Sequence, residues 1–398
     1  MPFSNVDDYR AAAKRRLPDF AFSYLEGGSE DQLTLRRNRD AFAKVLFAPR
    51  VLVDVSNVET RTTLAGQSAA WPAVVGPTGL NGMYCRKAEE ALAKAAHAQG
   101  LPFALSTAST SLIEDVRAAS DGDLWLQLYV QRDRSIAEDM MARARACGFS
   151  TLLLTVDTPV TGQRDHYKRT GFTLPLRWTL ALLRDIAMHP RWSATVGVHG
   201  VPQLVNIAKS ARTGPGIEEQ AAQLSRQMDL SLGWPDLAWL RRHWKGRILV
   251  KGIQTAADAR RAFAHDADGV VLSNHGGRQL DGVCSALEIL PEVAANAPSH
   301  AHVLIDGGVR RGSDIAKAVA LGAQGVLLGR APLYGLAVRG HDGAADVLAM
   351  LRRELEICLQ LLGCPRIAEL DESFIDAHRA APATGTPAER FKLTEKSL

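Results

Sequence analysis

One run of residues, Ser273-Asn274-His275-Gly276-Gly277-Arg278, carries the sharpest chemistry in the chain. It follows a short apolar stretch directly, so the histidine stands where a strand ends and a loop begins. Imidazole is the side chain whose ordinary titration range suits a base near neutral pH. Arg278 can meet a carboxylate with two parallel donors. Other candidate strand ends supply complementary groups. Asp157 offers a carboxylate that can orient an imidazole and stabilise its cation. Tyr129 offers a hydroxyl to a substrate oxygen, and Lys251 sets a fixed positive charge, useful beside a ring that gains negative charge. Spacing alone leaves plainer readings open: His275 could hold a glycine-rich turn, and Lys251 could be a solvated strand end.

A second group of residues suits a phosphate. Asp306-Gly307-Gly308-Val309-Arg310-Arg311-Gly312-Ser313 and Gly329-Arg330 each follow an apolar run. Glycines let backbone N–H groups approach a phosphate closely, and arginine adds a forked charge. The alternative is exposed loop arginines beside turn glycines. No Gly-x-Gly-x-x-Gly follows a first strand, which disfavours a Rossmann dinucleotide site.

These positions need a scaffold that gathers many strand ends on one face. Eight β-rich apolar runs stand at 72–76, 102–106, 124–128, 151–155, 247–250, 269–272, 302–305 and 325–328. Stretches of helical composition lie between most of them, such as 87–98, 134–146, 256–264 and 313–320. Alternating β and α elements argue for a parallel sheet. Eight such units argue for a TIM (β/α)₈ barrel, whose chemistry sits at the C-terminal strand ends. Those ends read Gly76-Pro77-Thr78-Gly79, Ser106-Thr107, Gln127-Leu128-Tyr129, Thr155-Val156-Asp157, Lys251-Gly252, the histidine run, Asp306-Gly307-Gly308 and Gly329-Arg330. Every one of them carries polar groups or glycines. Phosphate sites in such barrels usually form from the loops after the seventh and eighth strands.

Strand starts are separated by 30, 22, 27, 96, 22, 33 and 23 residues. The long gap follows the fourth strand and holds the usual helix plus an insertion, roughly 167–216. Residues 164–216 hold eight Lys/Arg and two Asp, a local charge of +6 within a chain of net +4. Within it, the apolar stretch 174–186 has Trp178 and two arginines, a composition that suits an anionic bilayer surface or, as readily, a rim-packed helix. The N-terminal 60 residues are expected to form helices that pack on or cap the barrel, and 381–398 to form a flexible tail after a single domain spanning 1–380. The 398 residues are 46% hydrophobic and 23% charged, ordinary for a globular enzyme. The mild net charge gives no argument for nucleic acid. Five scattered cysteines show neither a disulfide framework nor zinc spacing, so no metal is expected. Residues 1–14 lack the apolar core of a secretory signal, and no apolar run is long enough to span a bilayer.

Taken together, these residues resemble the FMN-dependent 2-hydroxy-acid oxidase and dehydrogenase family. The likeness runs from about 6 to 364. Its most specific element is the histidine run continued through Gln279-Leu280-Asp281; Tyr24-Leu25-Glu26-Gly27-Gly28, Gln127-Leu128-Tyr129, Thr155-Val156-Asp157 and Val250-Lys251-Gly252 match in family order. The resemblance implies FMN as cofactor and a small 2-hydroxy acid as substrate. It implies that Tyr24, Arg164 and Arg278 hold the substrate carboxylate and that Tyr129 bonds its hydroxyl. His275 would be the base, supported by Asp157, and Lys251 would stabilise the reduced anionic flavin. Pro77, Thr78, Gly79, Ser106, Gln127, Thr155 and Ser273 would bind the isoalloxazine ring and ribityl chain. Asp306, Gly307, Gly308, Arg310, Gly329 and Arg330 would take the ribityl and phosphate.

Several members carry an acidic-Arg-Asp run after the arginine at 164, where this chain reads Asp165-His166-Tyr167-Lys168-Arg169. Pro77-Thr78-Gly79-Leu80-Asn81-Gly82, 52–56 and 225–229 resemble the mandelate dehydrogenase branch; 189–192 resembles the quinone-type lactate dehydrogenases. Gly79, lacking a methyl group beside the flavin, is expected to make room for a phenyl-sized side chain. The related dehydrogenases attach by the inserted loop to the cytoplasmic face of the inner membrane and reduce a quinone, so both are expected partners. Family members are often homotetramers, and no residue pattern here fixes the subunit number. The alternatives are L-lactate as substrate, oxygen as acceptor, or a non-catalytic flavin or 2-hydroxy-acid sensor.

Overall fold

Continuous runs of Val, Leu and Ile, with no polar alternation, suit strands buried on both faces. In the computed structural model, which describes residues 3–171, 179–200, 202–211 and 227–376, eight such runs close into a parallel barrel. They are β3 (Ala73–Val75), β4 (Phe103–Ser106), β5 (Leu124–Leu128), β6 (Thr151–Thr155), β7 (Arg247–Ile253), β8 (Gly269–Leu272), β9 (His302–Asp306) and β10 (Gly325–Leu328). β10 pairs with β3 through Val326 and Ala73, which completes the ring. All eight coincide with the expected runs to within a few residues. β7 extends past its expected end through a bulge between Lys251 and Ile253. Gly252 makes the bulge with φ +106°, and a side chain there would strike the Asp157 side chain at 2.7 Å. This glycine therefore lets Asp157 lie against the end of the neighbouring strand.

Two apolar layers hold the barrel. The outer layer lies between strands and helices. The inner one joins Val74, Ala104, Trp125, Leu153, Leu249, Val271, Leu304 and Leu327. Leu64, Ala65 and Ala69 complete the inner layer from a short hairpin, β1 (Thr62–Leu64) and β2 (Gln67–Ala69). The hairpin is absent from the sequence-based expectation. It plugs the end of the barrel away from the chemistry, where each fully buried large apolar side chain contributes about 1.5–3 kcal/mol.

Three helices precede the hairpin: Val6–Arg16, Asp19–Glu26 and Leu33–Lys44. The third has no side-chain cap of its own, and its N-cap Gln32 is left-handed. Its first N–H groups are met instead by Asp281, whose carboxylate accepts from Leu33 N at 3.0 Å and Thr34 N at 2.7 Å. One turn later, Asn38 and Asn274 exchange amide hydrogen bonds of 2.9 and 2.8 Å. The N-terminal helices are thereby fastened to the loop that carries His275.

The insertion after β6 has helices Leu180–Met188, Pro190–Thr195 and Val205–Ala211 among its described residues. Leu182, Trp192, Leu204 and Ile207 are buried against the barrel. Trp192 Nε1 donates to Met83 O at 2.8 Å, and Asn206 bonds Ile113 N and Ser111 O. Trp178 and the start of the apolar stretch, and the tail 381–398, lie outside the described residues. Among the described residues, no helix is long and apolar enough to cross a membrane.

Candidate active site

The C-terminal strand ends surround a cavity of about 580 Å³. Lining it are Tyr24, Pro77, Thr78, Gly79, Ser106, Gln127, Tyr129, Thr155, Arg164, Lys251, His275, Arg278, Asp306, Gly307, Gly308, Arg310, Gly329 and Arg330. Asp157 and Ser273 stand directly behind this wall and touch the residues that form it.

His275 adopts a left-handed backbone with φ +58°, a conformation that costs a non-glycine residue about 1–2 kcal/mol. Its backbone N–H donates to Ser273 Oγ at 3.0 Å. The ring lies between two partners: Nδ1 is 2.9 Å from Asp157 Oδ1, and Nε2 is 3.4 Å from the Tyr129 hydroxyl. The imidazole keeps 21% of its surface exposed while the Asp157 side chain keeps 3%. Burial pushes the Asp157 carboxyl up, yet His275 and Lys251 outweigh it and hold the group below its ordinary range. Burial and the Asp157 charge push the Tyr129 phenol up, so it stays protonated.

Lys251 is buried at the end of β7. Its Nζ lies 2.9 Å from Asp306 Oδ2 and donates to Ser273 Oγ at 2.9 Å. Burial disfavours the ammonium, but Asp306 and Asp157 overcome it, so the group titrates above its ordinary value. Ser273 thus receives Lys251 from one side and the His275 backbone from the other. Gln127 is equally engaged: its Oε1 accepts from Ser106 Oγ and its Nε2 donates to Thr155 Oγ1.

Two arginines meet at one side of the cavity. Arg278 Nη1 donates to the carbonyls of Tyr24 and Gly27 at 2.7 and 3.0 Å, and its guanidinium lies 4.9 Å over the Tyr24 ring. Arg164 donates through Nε to Arg278 O and through Nη2 to Gln279 Oε1, each at 3.2 Å. Burial, then the like charge of Arg278, lowers the Arg164 pKa. Two partners here were absent from the sequence-based site. Gln279 also donates to Asp157 O and Val160 O, and Tyr167 bonds both guanidinium groups. Gln279 follows the arginine in the signature run, a signal that was available; nothing in the sequence signals Tyr167.

The opposite set of groups suits a ribityl phosphate. Asp306 Oδ1 and Arg310 Nε are buried without a hydrogen-bond partner among the described residues. One can accept from a hydroxyl and the other can donate to a phosphate. Gly308 faces the backbone of Asn38 so closely that a side chain there would lie 2.0 Å from its carbonyl oxygen, which keeps this wall bare of side chains. Gly329 opens the helical run Arg330–Leu362, kinked at Arg339 and Gly340, whose N-terminus has no side-chain cap. Uncapped N–H groups at a helix start favour an anion. Arg330 spends Nε, Nη1 and Nη2 on the carbonyls of Leu25, Gly276 and Gly27. Burial and the charge of Arg278 push its pKa down to about 10, so it contributes charge to this end while its hydrogen bonds brace the N-terminal segment.

Comparisons with known proteins identify the family. A family profile described as FMN-dependent dehydrogenase matches residues 13–377. The chain is 47% identical to an (S)-mandelate dehydrogenase of Pseudomonas putida over 93% of each protein. It is 43% identical to an L-lactate dehydrogenase of Caulobacter vibrioides, over 94% of this chain and 98% of that one. The crystal structure of the monotopic membrane protein (S)-mandelate dehydrogenase superposes with a TM-score of 0.91 at 46% identity, covering 94% of this chain and all of that one. With a closed (β/α)₈ barrel and a profile match over most of its length, the chain belongs to the FMN-dependent dehydrogenase family, and FMN is its cofactor.

Proposed function

We propose that the chain oxidises an (S)-2-hydroxy acid to the 2-oxo acid, with a mandelate-type aryl substrate preferred, and delivers the electrons to a membrane quinone. The observation that carries the reaction is His275, tied at Nδ1 to an ionised Asp157, in one cavity with the Arg164–Arg278 pair. FMN, when bound, supplies the two-electron acceptor. Arg278, Arg164 and Tyr24 hold the carboxylate, and the Tyr129 hydroxyl donates to the substrate hydroxyl oxygen. His275 Nε2 takes a proton from the substrate, and Asp157 stabilises the imidazolium that results. Lys251, kept charged by Asp306 and Asp157, provides the positive charge beside the electron acceptor. The phosphate end is Asp306, Gly307, Gly308, Arg310, Gly329 and Arg330; Pro77, Thr78, Gly79, Ser106, Gln127 and Thr155 line the ring and ribityl path, and Ser273 backs Lys251.

An aryl substrate is favoured by the apolar part of the cavity wall: Leu80, Tyr84, Val160, Leu204 and Met228. L-Lactate is the alternative, favoured by the lactate dehydrogenase relatives. Membrane association is favoured by the insertion, where Leu180, Leu183, Met188 and Val198 are 87%, 48%, 71% and 68% exposed beside Arg184 and Arg191. Exposed apolar residues flanked by basic ones suit an anionic bilayer surface, and one similar structure is described as monotopic.

The test is the visible spectrum of the purified protein, followed anaerobically after (S)-mandelate and, separately, L-lactate. Rapid bleaching of yellow flavin supports the reaction, and the faster acid identifies the substrate branch. Bound flavin that bleaches with neither acid refutes mandelate and lactate as substrates and, if other 2-hydroxy acids also fail, the 2-hydroxy-acid reading.

A further inference from the structure

The inserted segment does more than reach outward from the barrel. A short helix at its root, Asp165–Arg169, turns Tyr167 back into the cavity. The phenolic oxygen accepts from Arg278 Nη2 at 2.6 Å and from Arg164 Nη1 at 3.5 Å. The Tyr167 ring lies 5.7 Å from the Tyr24 ring and 5.5 Å from the Arg164 guanidinium. Next to it, His166 packs so tightly on Gly27 that a side chain at position 27 would fall 1.5 Å from His166 Nε2. Gly27 O in turn accepts from Arg278 and Arg330. The helix is therefore keyed onto the N-terminal segment that holds both arginines.

We propose that Tyr167 is a positioning and specificity residue, the shared acceptor that keeps Arg164 and Arg278 converged on a single substrate carboxylate. This rests on the 2-hydroxy-acid reading above. The physical need is clear. Two buried guanidinium groups repel each other, and burial makes that repulsion stronger than in water. An oxygen that accepts from both offsets part of it without neutralising either. A phenol accepts from both without adding a negative charge beside the site. The hydrogen bonds support this. Arg278 Nη1 is committed to two carbonyls and Nη2 donates to Tyr167, while the Tyr24 phenol bonds the same guanidinium. Tyr167 thereby helps hold the Arg278 fork in place. The same contact makes the root of the insertion part of the substrate site.

The experiment compares wild type with Tyr167→Phe on a 2-hydroxy acid and on its methyl ester, in the FMN-loaded enzyme. Dissociation constants come from flavin absorbance changes with the 2-oxo acid product, and kinetic constants from anaerobic flavin reduction. Loss of a hydrogen bond to a charged partner predicts that KM for the acid, and Kd for the product, rise about ten-fold. The maximal rate of reduction should stay within about two-fold, and the ester should respond little. Unchanged constants for the acid, or equal losses for acid and ester, overturn the proposal. A flavin-loaded wild type that reduces with no 2-hydroxy acid overturns the underlying reading and this proposal together; a wild type that does, matched by its variant, overturns this proposal alone.

Discussion

Asp157 Oδ1 and His275 Nδ1 meet at 2.9 Å although 118 positions separate them in sequence. Their strands are brought together by β7, and Gly252 on β7 leaves the space for the carboxylate. Replacing Asp157 by Asn keeps the volume and removes the charge that stabilises the imidazolium. Flavin reduction by substrate is expected to slow by about 10²- to 10⁴-fold, with flavin content unchanged. Stopped-flow absorbance checks the rate and the protein-to-flavin ratio checks loading. A variant that reduces its flavin at nearly the wild-type rate would remove Asp157 from the mechanism.

Gly79 packs closely on the adjacent loop. A Cβ at that position would lie 2.9 Å from Ala108 Cβ and 3.3 Å from Ala108 O, on the loop that also receives Leu80 N. A methyl group there would press on the adjacent loop, a packing role beside the expectation that Gly79 makes room for a phenyl-sized side chain. Gly79→Ala should destabilise the protein by about 1–3 kcal/mol through overpacking, and the double change Gly79→Ala with Ala108→Gly should recover most of it. Thermal denaturation of the single and double variants checks this. Full stability in the single variant, with only substrate preference altered, would return the position to the pocket.

Glu114 joins three elements. It accepts from Arg143 at 2.8 and 2.7 Å and from Lys209, on the insertion, at 3.0 Å. The Arg143 hydrogen bonds hold its carboxyl at about 2, against an ordinary 4.5. The stability this adds is complete above about pH 4.5 and is lost as pH falls through 2. The group is more than a third exposed, so solvent screening limits the contribution to about 1 kcal/mol. Glu114→Gln should therefore lower the melting temperature at pH 7, and the gap from wild type should shrink steadily below pH 4.5. A gap that is constant from pH 7 to pH 3 would show that ionisation of Glu114 contributes nothing.

The barrel was legible because parallel strands are buried on both faces and read as unbroken apolar runs. Most strand-end residues were legible for the same reason, since a polar residue that ends such a run stands at the mouth or, like Asp157 and Ser273, directly behind its wall. Hydrogen bonds that join distant segments leave no local trace. Asp281 looks like the end of a catalytic signature, yet its carboxylate caps a helix that begins 248 positions earlier. Tyr167 looks like the start of an insertion, and its role depends on where Arg278 comes to rest. The hairpin β1–β2 escaped because its strands are three residues each, too short for a period to show.

The reciprocal amide pair of Asn38 and Asn274 spans 236 positions. Synthesis delivers the N-terminal helices first, long before the residues that anchor them exist. They must wait, undocked, until six of the eight barrel strands have been made (a long-range closure of the kind that slows folding). Arg278 finds its carbonyl partners on Tyr24 and Gly27 only after that docking. A chain with a fully paired barrel and detached N-terminal helices would be folded by most spectroscopic measures and still lack a substrate site. Completion of the enzyme is thus a seam closed between the beginning of the chain and a loop near its end, and competence arrives later than compactness.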